Sequence, residues 1–584
     1  MSPLIDPRLG DVEDDASSTK RRSLLAIAGS LVAEISLPKL IAAWLILIIV
    51  PGILLGVAPL VASAWLTSFS RKIVTPLDGL WPLLLLVLVA ALGWMGGRPL
   101  LRMAERGFWS LNSLAAQPGY AFCREGLRQL AERLLRRRLD VESRARLRAA
   151  SAAGAGVILC GIALGLVWLA WPASRWVGDV ADLASPQRLV GPALANTVVL
   201  VGLYLAAAAL GWGIADATMD QPRDLPAFDP LPAGGRTWRI AHLSDLHVVG
   251  ERYGFRIESG RSGARGNERL ERVLARLDAL HAEQPLHLVL ITGDVTDAGR
   301  STEWAEFFAA LNRHPELAKR TLLLPGNHDL NIVDRANPAR LDLPMSPGKR
   351  LRQMRALSAI AAVQGDKVRV FDPSSGRLDP TLSQALAPQQ AAIATFSDTG
   401  TLRLSVRLER VWAEAFPMVL PPDTEDGLGV ILLNSNAEAH FSFTNALGLL
   451  SIEQALALAT IVRQFPQAHW IVALHHHLVE YPKPASAFSE RIGTALINGS
   501  WFARQLQGLG NRVVVMHGHR HIDWIGDCGG VRIVSAPSPV MEVTDDKSTC
   551  FHIHTLAAGP AGRLCLLAPE RVEIAGDAPV LAVS

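Results

Sequence analysis

Hydrophobic and polar positions divide this chain into two materials: long uncharged runs before residue 216, and short apolar runs bounded by polar turns after residue 236. The uncharged runs are residues 40–66, 80–96, 152–171 and 189–215, the first interrupted only by Pro51 and Pro59. About 20 residues of helix cross the hydrocarbon core of a bilayer. None of the four runs keeps the polar face of a helix packed on a soluble core. The pattern therefore predicts four transmembrane helices. Further on, residues 238–243, 286–291, 321–324, 470–474 and 512–516 read as buried strands. Between the first two, Leu270, Val273, Leu274, Leu277 and Leu280 recur at helical spacing, as a crossover helix over residues 267–283 would place them. Ser451 and Gln454 have the spacing of a capping box at the start of another helix.

Composition and charge sharpen the division. Charged residues make up 19% of the chain, low for 584 residues, and the apolar excess lies before residue 216. Residues 97–151 carry twelve arginines against five acids, and Lys20, Arg21 and Arg22 precede the first run. Residues 172–187 hold one arginine and two aspartates. Basic segments stay on the cytoplasmic side of a membrane. The expected protein is thus a multi-pass integral protein of the inner or plasma membrane, in contact with its lipids. Its polar tail 1–23 is disordered and cytoplasmic, its basic loop 97–151 is cytoplasmic, and so is everything after the fourth span. Within that loop, residues 124–139 place Leu127, Leu130, Leu134 and Leu135 on one helical face. Such a helix either lies on anionic lipid or packs as an ordinary helix. No aromatic residues interleave its arginines, so nucleic acid is not an expected partner.

The remaining organisation follows from punctuation. The membrane region covers residues 24–216, and residues 217–236, rich in proline, read as a linker. Residues 237–584 form a second domain with an insertion at about 331–428, which carries helical pieces at 354–363 and 402–414 but no motif with chemistry. That insertion is either a cap over a site or a structural excursion. The five cysteines have neither metal-like nor disulfide-like spacing.

Each short strand is followed by polar residues that have no packing reason to be there. In order they are Asp245-Leu246-His247, Gly293-Asp294-Val295-Thr296-Asp297, Gly326-Asn327-His328-Asp329, His475-His476-His477 and Gly518-His519-Arg520-His521. Strand ends share one rim of a sheet, where open α/β folds place their sites. Carboxylate, amide oxygen and imidazole together suit manganese, iron or zinc. Singly, each block is an ordinary turn. Jointly, they are the parts of a site for two divalent ions roughly 3.5–4 Å apart, able to clamp both oxygens of a displacement at phosphorus.

The five blocks resemble, in order and context, the calcineurin-like metallophosphoesterase superfamily, nearest to its cyclic-nucleotide phosphodiesterase-like branch, over residues 237–538. The resemblance implies an α/β sandwich of two mixed sheets flanked by helices, placed after the membrane helices. It implies one divalent ion on Asp245, His247, Asp294 and His521, and a second on Asp294, Asn327, His475 and His519, with Asp294 bridging. It further implies attack by a hydroxide between the ions, His328 giving a hydrogen bond or proton to the phosphoryl or leaving-group oxygen, and Asp329 orienting an imidazole. His475 is preferred because it comes first after its strand, with His476 as the alternative. Ala298-Gly299 follows Asp297 where protein phosphatases of the superfamily carry Arg-Gly, and the missing bidentate phosphate binder argues against a phosphoprotein substrate. The expected activity is hydrolysis of a phosphodiester or pyrophosphate. The substrate is a nucleotide or, beside a membrane, a lipid-linked nucleotide diphosphate; the alternative is a non-catalytic metal-binding membrane sensor.

Overall fold

The computed structural model describes residues 45–73, 98–135, 140–178, 187–250, 267–332, 346–438, 444–482, 496–541 and 547–575, together with Ile41, Asp342 and Thr494. The chain divides into two compact units, with a boundary along the chain between Met219 and Asp220.

The first unit is helical. Two of its helices, Val141–Ala170 with its short extension and Gln187–Ala217, are long and apolar enough to cross a membrane. They cover the apolar runs 152–171 and 189–215. The former starts well before its apolar run because the Asp140 carboxylate caps it, accepting from the Ser143 amide at 2.9 Å. Run 40–66 behaves differently: a π-helical turn at Leu45–Ile49 leads into Val50–Ile73, and only Val50–Ala64 of this is a shorter apolar helix. The expected span 80–96 and the tail 1–23 lie outside the described residues. Much of the expected basic loop is instead a helix, Arg98–Leu135, that continues through Pro118.

Packing within this unit reverses the usual order of a soluble bundle. Asn196 is fully buried, donating to the carbonyls of Gly56 at 3.0 Å and Arg175 at 2.7 Å, and Thr197 Oγ1 reaches the Gly52 carbonyl at 2.6 Å. A Cβ on Gly56 would stand 1.9 Å from the Ala193 carbonyl oxygen, so only glycine permits this approach. Outward, Val157, Ile162, Leu166 and Leu169 are exposed, and Trp168 is 76% exposed. Water penalises such an exterior by about 25 cal/mol per Å² of apolar surface. Lipid does not, and lipid-embedded helices associate through small residues and buried polar contacts of this kind. At one end, Asp216 accepts from Arg124 at 2.6 Å and from the Tyr120 hydroxyl at 3.0 Å. Arg124, Glu125 and Arg128 are buried, while Leu130, Leu134 and Leu135 face outward.

The second unit contains two mixed sheets. In the smaller, β2 (Thr237–Leu243), β3 (Leu288–Ile291) and β4 (Thr321–Leu323) run parallel, and β13 (Thr549–Ala558) pairs antiparallel with β2. Beyond β13 lie β14 (Leu564–Leu566) and β15 (Glu570–Ile574). Among the described residues, the larger sheet has nine strands. At its centre β8 (Leu428–Leu432), β9 (His469–Ala473), β10 (Val513–His517) and β12 (Val531–Ser535) are parallel. Antiparallel β11 (Trp524–Cys528) and β1 (Arg223–Asp224) extend one side, and β7 (Met418–Leu420), β5 (Arg369–Asp372) and β6 (Arg377–Thr381) the other. Alternate residues show how the sheets pack. Ile471 and Ala473 of β9, with Val514 and Met516 of β10, enter one continuous core shared with Ile240, Leu243 and Leu290 of the smaller sheet. Their neighbours Trp470, Val472, Val513 and Val515 are buried on the opposite face, outside that core. Both faces being covered, these strands read as unbroken apolar runs.

The crossover helix forms as Glu268–Glu283. Ser451 caps the helix Ile452–Gln464, accepting from the Gln454 amide at 3.2 Å, but the reciprocal half of the expected box is absent: the Gln454 side chain bonds Asn434 instead. Within the expected linker 217–236, residues from Asp220 onward belong to the second unit. Its Arg223 and Asp224 pair with β11, and Asp229 holds Arg532, Arg563 and the Leu566 amide. The described part of the insertion is likewise built into the fold. It supplies β5, β6 and β7, and Gln364, at the end of the helix Pro347–Gln364, bonds both the amide and carbonyl of Leu323, covering the open edge of β4.

Candidate metal centre

All five expected blocks leave the carboxyl ends of parallel strands, and their loops are hydrogen-bonded to one another. The amides of Asp245 and His247 donate to Gly293 and Asp294 at 3.0 Å each, and the Gly518 amide donates to His475 at 3.1 Å. Among the described residues, six non-glycines have positive φ, and five of them are Asp245 (55°), His247 (44°), Asp294 (49°), His519 (76°) and His521 (52°). A left-handed backbone is unfavourable for such residues and persists where surrounding structure enforces it, commonly at functional sites. Here it turns five expected ligands toward one place. Gly518 is needed for the same convergence, since a Cβ there would lie 1.8 Å from Ser244 Oγ and 2.5 Å from Asp245 Oδ2. Gly518→Ala is therefore expected to cost about 1–3 kcal/mol, measured by thermal unfolding, and to weaken metal binding with it.

Asp294 is central. Its Oδ2 lies 3.2 Å from His475 Nε2 and 3.8 Å from His247 Nε2. On one side His521 Nε2 stands 3.4 Å from Asp245 Oδ1 and 3.3 Å from His247 Nε2. On the other, His475 Nε2 stands 3.1 Å from Asn327 Oδ1 and 3.2 Å from His519 Nδ1. Donor atoms bound at 2.0–2.2 Å to one ion sit about 3 Å apart, so these separations fit two coordination groups that share Asp294. Second contacts fix the ring orientations. His475 Nδ1 donates to the Thr292 carbonyl at 2.8 Å and His519 Nε2 to the Thr494 carbonyl at 3.2 Å, which turns the other nitrogen of each ring inward. Burial alone would raise the Asp294 carboxyl, but His475, His328 and His247 around it hold it well below the usual carboxylate range. Burial pulls His475 down, and Asp294 and Asp245 more than offset this, pushing it up to about 9. Such a carboxylate cluster demands positive charge, as a cation site must.

His328 has its amide on Asp294 Oδ1 at 2.8 Å and its Nδ1 on the Asp297 carbonyl at 2.7 Å, so Nε2 is the ring's remaining polar atom. Asp329 does not orient an imidazole. Its buried carboxylate accepts from the Thr296 amide and hydroxyl at 2.8 and 2.6 Å and from the Gly326 amide at 2.8 Å, tying the second and third blocks together. Its neighbour in the second block, Asp297, is the one placed to orient a ring: its Oδ1 is 3.2 Å from His247 Nδ1.

The triple histidine divides into three environments. His475 turns to Asp294 and Asn327, His476 Nδ1 meets Ser435 Oγ at 2.9 Å, and the His477 ring lies parallel to that of His519. His475→Ala should therefore abolish one metal site, and His476→Ala should retain both, as counted by manganese titration of the full chain. Sequence reasoning missed Thr292, Ser435, which accepts from the amides of both His475 and His476, and Ser538, whose hydroxyl holds the Asp245 carbonyl at 2.7 Å. Ser435 had a signal: Asn434-Ser435-Asn436 follows the apolar strand β8 as the other blocks follow theirs.

Two mixed sheets with flanking helices and clustered His and Asp side chains able to hold metal define a metallophosphoesterase-like α/β fold. Residues 239–414 match the family model described as calcineurin-like phosphoesterase, so the chain carries a calcineurin-like phosphoesterase domain, the class of metal-dependent phosphoester hydrolases. His475, His519 and His521 lie beyond the matched residues, and the fold brings them to the others. No curated protein matches the chain. Among solved structures it is similar to a putative 5'-nucleotidase from Staphylococcus aureus (12% identity, 59% of this chain and 55% of that one, TM-score 0.30). It is also similar to a dimetal phosphatase from Danio rerio (12% identity, 60% and 100%, TM-score 0.31). A third likeness is to the NAD nucleotidase of Haemophilus influenzae (13% identity, 58% and 57%, TM-score 0.30). The chain spans little more than half the length of the two nucleotidases.

Proposed function

We propose that this chain is a membrane-anchored phosphoesterase that uses two divalent ions, manganese, iron or zinc, to hydrolyse a phosphodiester or pyrophosphate bond. The observation that carries the reading is the single oxygen of Asp294 facing His475 at 3.2 Å and His247 at 3.8 Å. Asp245, His247 and His521 would hold one ion with Asp294, and Asn327, His475 and His519 the other. When bound, two such ions supply an acidified water as nucleophile and positive charge against the phosphoryl oxygens. His328, held through Nδ1 by Asp297, is oriented to give a hydrogen bond or proton from Nε2 to the phosphoryl or leaving-group oxygen. Ala298 in place of an arginine removes the clamp of a phosphoprotein phosphatase and favours a smaller ester, such as a cyclic nucleotide. Turnover of cyclic nucleotides, aryl phosphodiesters and nucleotide pyrophosphates by the purified chain with manganese tests this. Hydrolysis of none of them overturns it.

A second reading keeps the chemistry and moves the substrate into the membrane, as a lipid-linked nucleotide diphosphate. The apolar exterior of the helical unit favours it. Preference for lipid pyrophosphate over soluble nucleotide in detergent decides between the two. A binding-only sensor has less support, because it gives no reason for an oriented His328.

The membrane reading extends to four spans with the catalytic domain in the cytoplasm. Arg144, Arg146 and Arg148 open the helix Val141–Ala170, Trp168 and Trp171 close it, and the next helix returns to the side of the arginines. A reporter enzyme active only outside the membrane, fused to the C-terminus, should be silent. An active reporter contradicts this topology.

A further inference from the structure

His477 and Tyr481 belong to none of the expected ligand sets, yet they lie in one stack with His519. The His477 ring is 6.0 Å from that of His519 at an interplanar angle of 14°, and 5.8 Å from the Tyr481 ring at 23°. Tyr481 is fixed at both ends, its hydroxyl 2.8 Å from Ser535 Oγ at the end of β12 and its ring 5.4 Å from Trp524, edge to face at 86°. Trp524 opens β11, and its Nε1 donates to Asp224 Oδ1 at 2.9 Å. A Cβ on Gly526 would fall 2.1 Å from this indole and 2.4 Å from the Arg223 carbonyl, so the strand is shaped to seat both. The stack thus runs from Asp224, in the first strand after the unit boundary, to a nitrogen-bearing ring of the candidate metal centre.

His519 needs such support. It sits at φ 76°, and its Nδ1 must be aimed to within a fraction of an ångström of a shared position with His475. The bond to Thr494 sets the ring's in-plane rotation, but a hydrogen bond at one edge leaves tilt about that axis free. The His476 ring, 4.4 Å away at 45°, and the nearly parallel His477 ring, 6.0 Å away at 14°, flank it and limit that freedom. Tyr481 in turn braces His477, and Trp524 braces Tyr481.

We propose that His477, Tyr481 and Trp524 are positioning residues for His519, forming a buried aromatic column whose far end is anchored by Asp224, so that metal affinity at the His519 site depends on that strand. The proposal rests on the two-metal reading above. Groups outside the ligand set commonly change metal affinity by 10–100-fold. Manganese titration of the full chain in detergent, by calorimetry, tests it with His477→Ala, His477→Phe and Asp224→Ala. Wild type is expected to bind two ions. His477→Ala should weaken one of them about tenfold and leave the other unchanged, His477→Phe should restore it because the ring face is kept, and Asp224→Ala should weaken the same ion several-fold. Unfolding temperatures accompany each variant; if His477→Ala does not fold, the Phe and Asp224 variants carry the comparison. Wild-type affinity in Asp224→Ala and His477→Ala together overturns the column, as does a His477→Phe as weak as His477→Ala. A wild type that binds no manganese overturns the two-metal reading, and the column with it.

Discussion

Asp294→Asn is expected to lower kcat/KM for a generic aryl phosphodiester, with manganese supplied, by a hundredfold or more. Oriented charge at a reacting centre is worth about 3 kcal/mol or more in the barrier, and Asp294 lies between His475 and His247. Its two oxygens have different work. Oδ1 accepts from the His328 amide, and Oδ2 faces His475 and His247. An asparagine keeps its carbonyl where the His328 amide needs an acceptor, which turns the NH2 group toward the two imidazoles. One substitution thereby removes a negative charge and replaces a shared acceptor with a donor. The fold should survive, because the His328 amide stays bonded. Turnover equal to wild type, with an unchanged unfolding temperature, would sink the assignment of Asp294 as the bridge.

The second large effect is at His328. His328→Ala should reduce turnover by about 10²–10⁴, the usual worth of a positioned acid or base, while both metal sites remain, because alanine keeps the backbone amide that bonds Asp294. The size of the loss should depend on the ester. If Nε2 protonates the leaving oxygen, poor leaving groups suffer most; if it bonds a phosphoryl oxygen, the loss is the same for all. Undiminished turnover of both kinds of ester contradicts a catalytic His328.

Most of the candidate site was legible from the chain alone because its ligands follow buried strands whose apolar runs end abruptly in Asp, Asn and His. Runs 238–243, 321–324 and 512–516 became β2, β4 and β10 to within a residue or two. What escaped detection depends on contacts between distant segments. Asp329 looked like a partner for an imidazole because it adjoins His328, but a residue's neighbour in sequence on a short helical turn points elsewhere, here to the Thr296 and Gly326 amides. Thr292 and Ser538 act through a carbonyl and a hydroxyl that carry no signature in sequence, and Ser435 was passed over together with the strand that precedes it. β8 was missed because it lies at the end of a segment taken for an insertion, though it sits beside β9 in the centre of the sheet. The helical unit shows the opposite limit. Hydropathy located the apolar parts of the helices Val141–Ala170 and Gln187–Ala217, but it did not distinguish the π-helical turn at Leu45–Ile49, just before Pro51, from the α-helix that follows.

Two ions sharing one carboxylate make a claim that can be read spectroscopically. Manganese(II) ions bridged at roughly 3.5–4 Å couple magnetically, whereas separate ions do not. Electron paramagnetic resonance of the full chain loaded with two equivalents of manganese should give the coupled multiline spectrum in wild type, and Asp294→Asn should collapse it to the six-line signal of isolated ions. Six lines alone in the wild type at saturating manganese would contradict the two-metal centre.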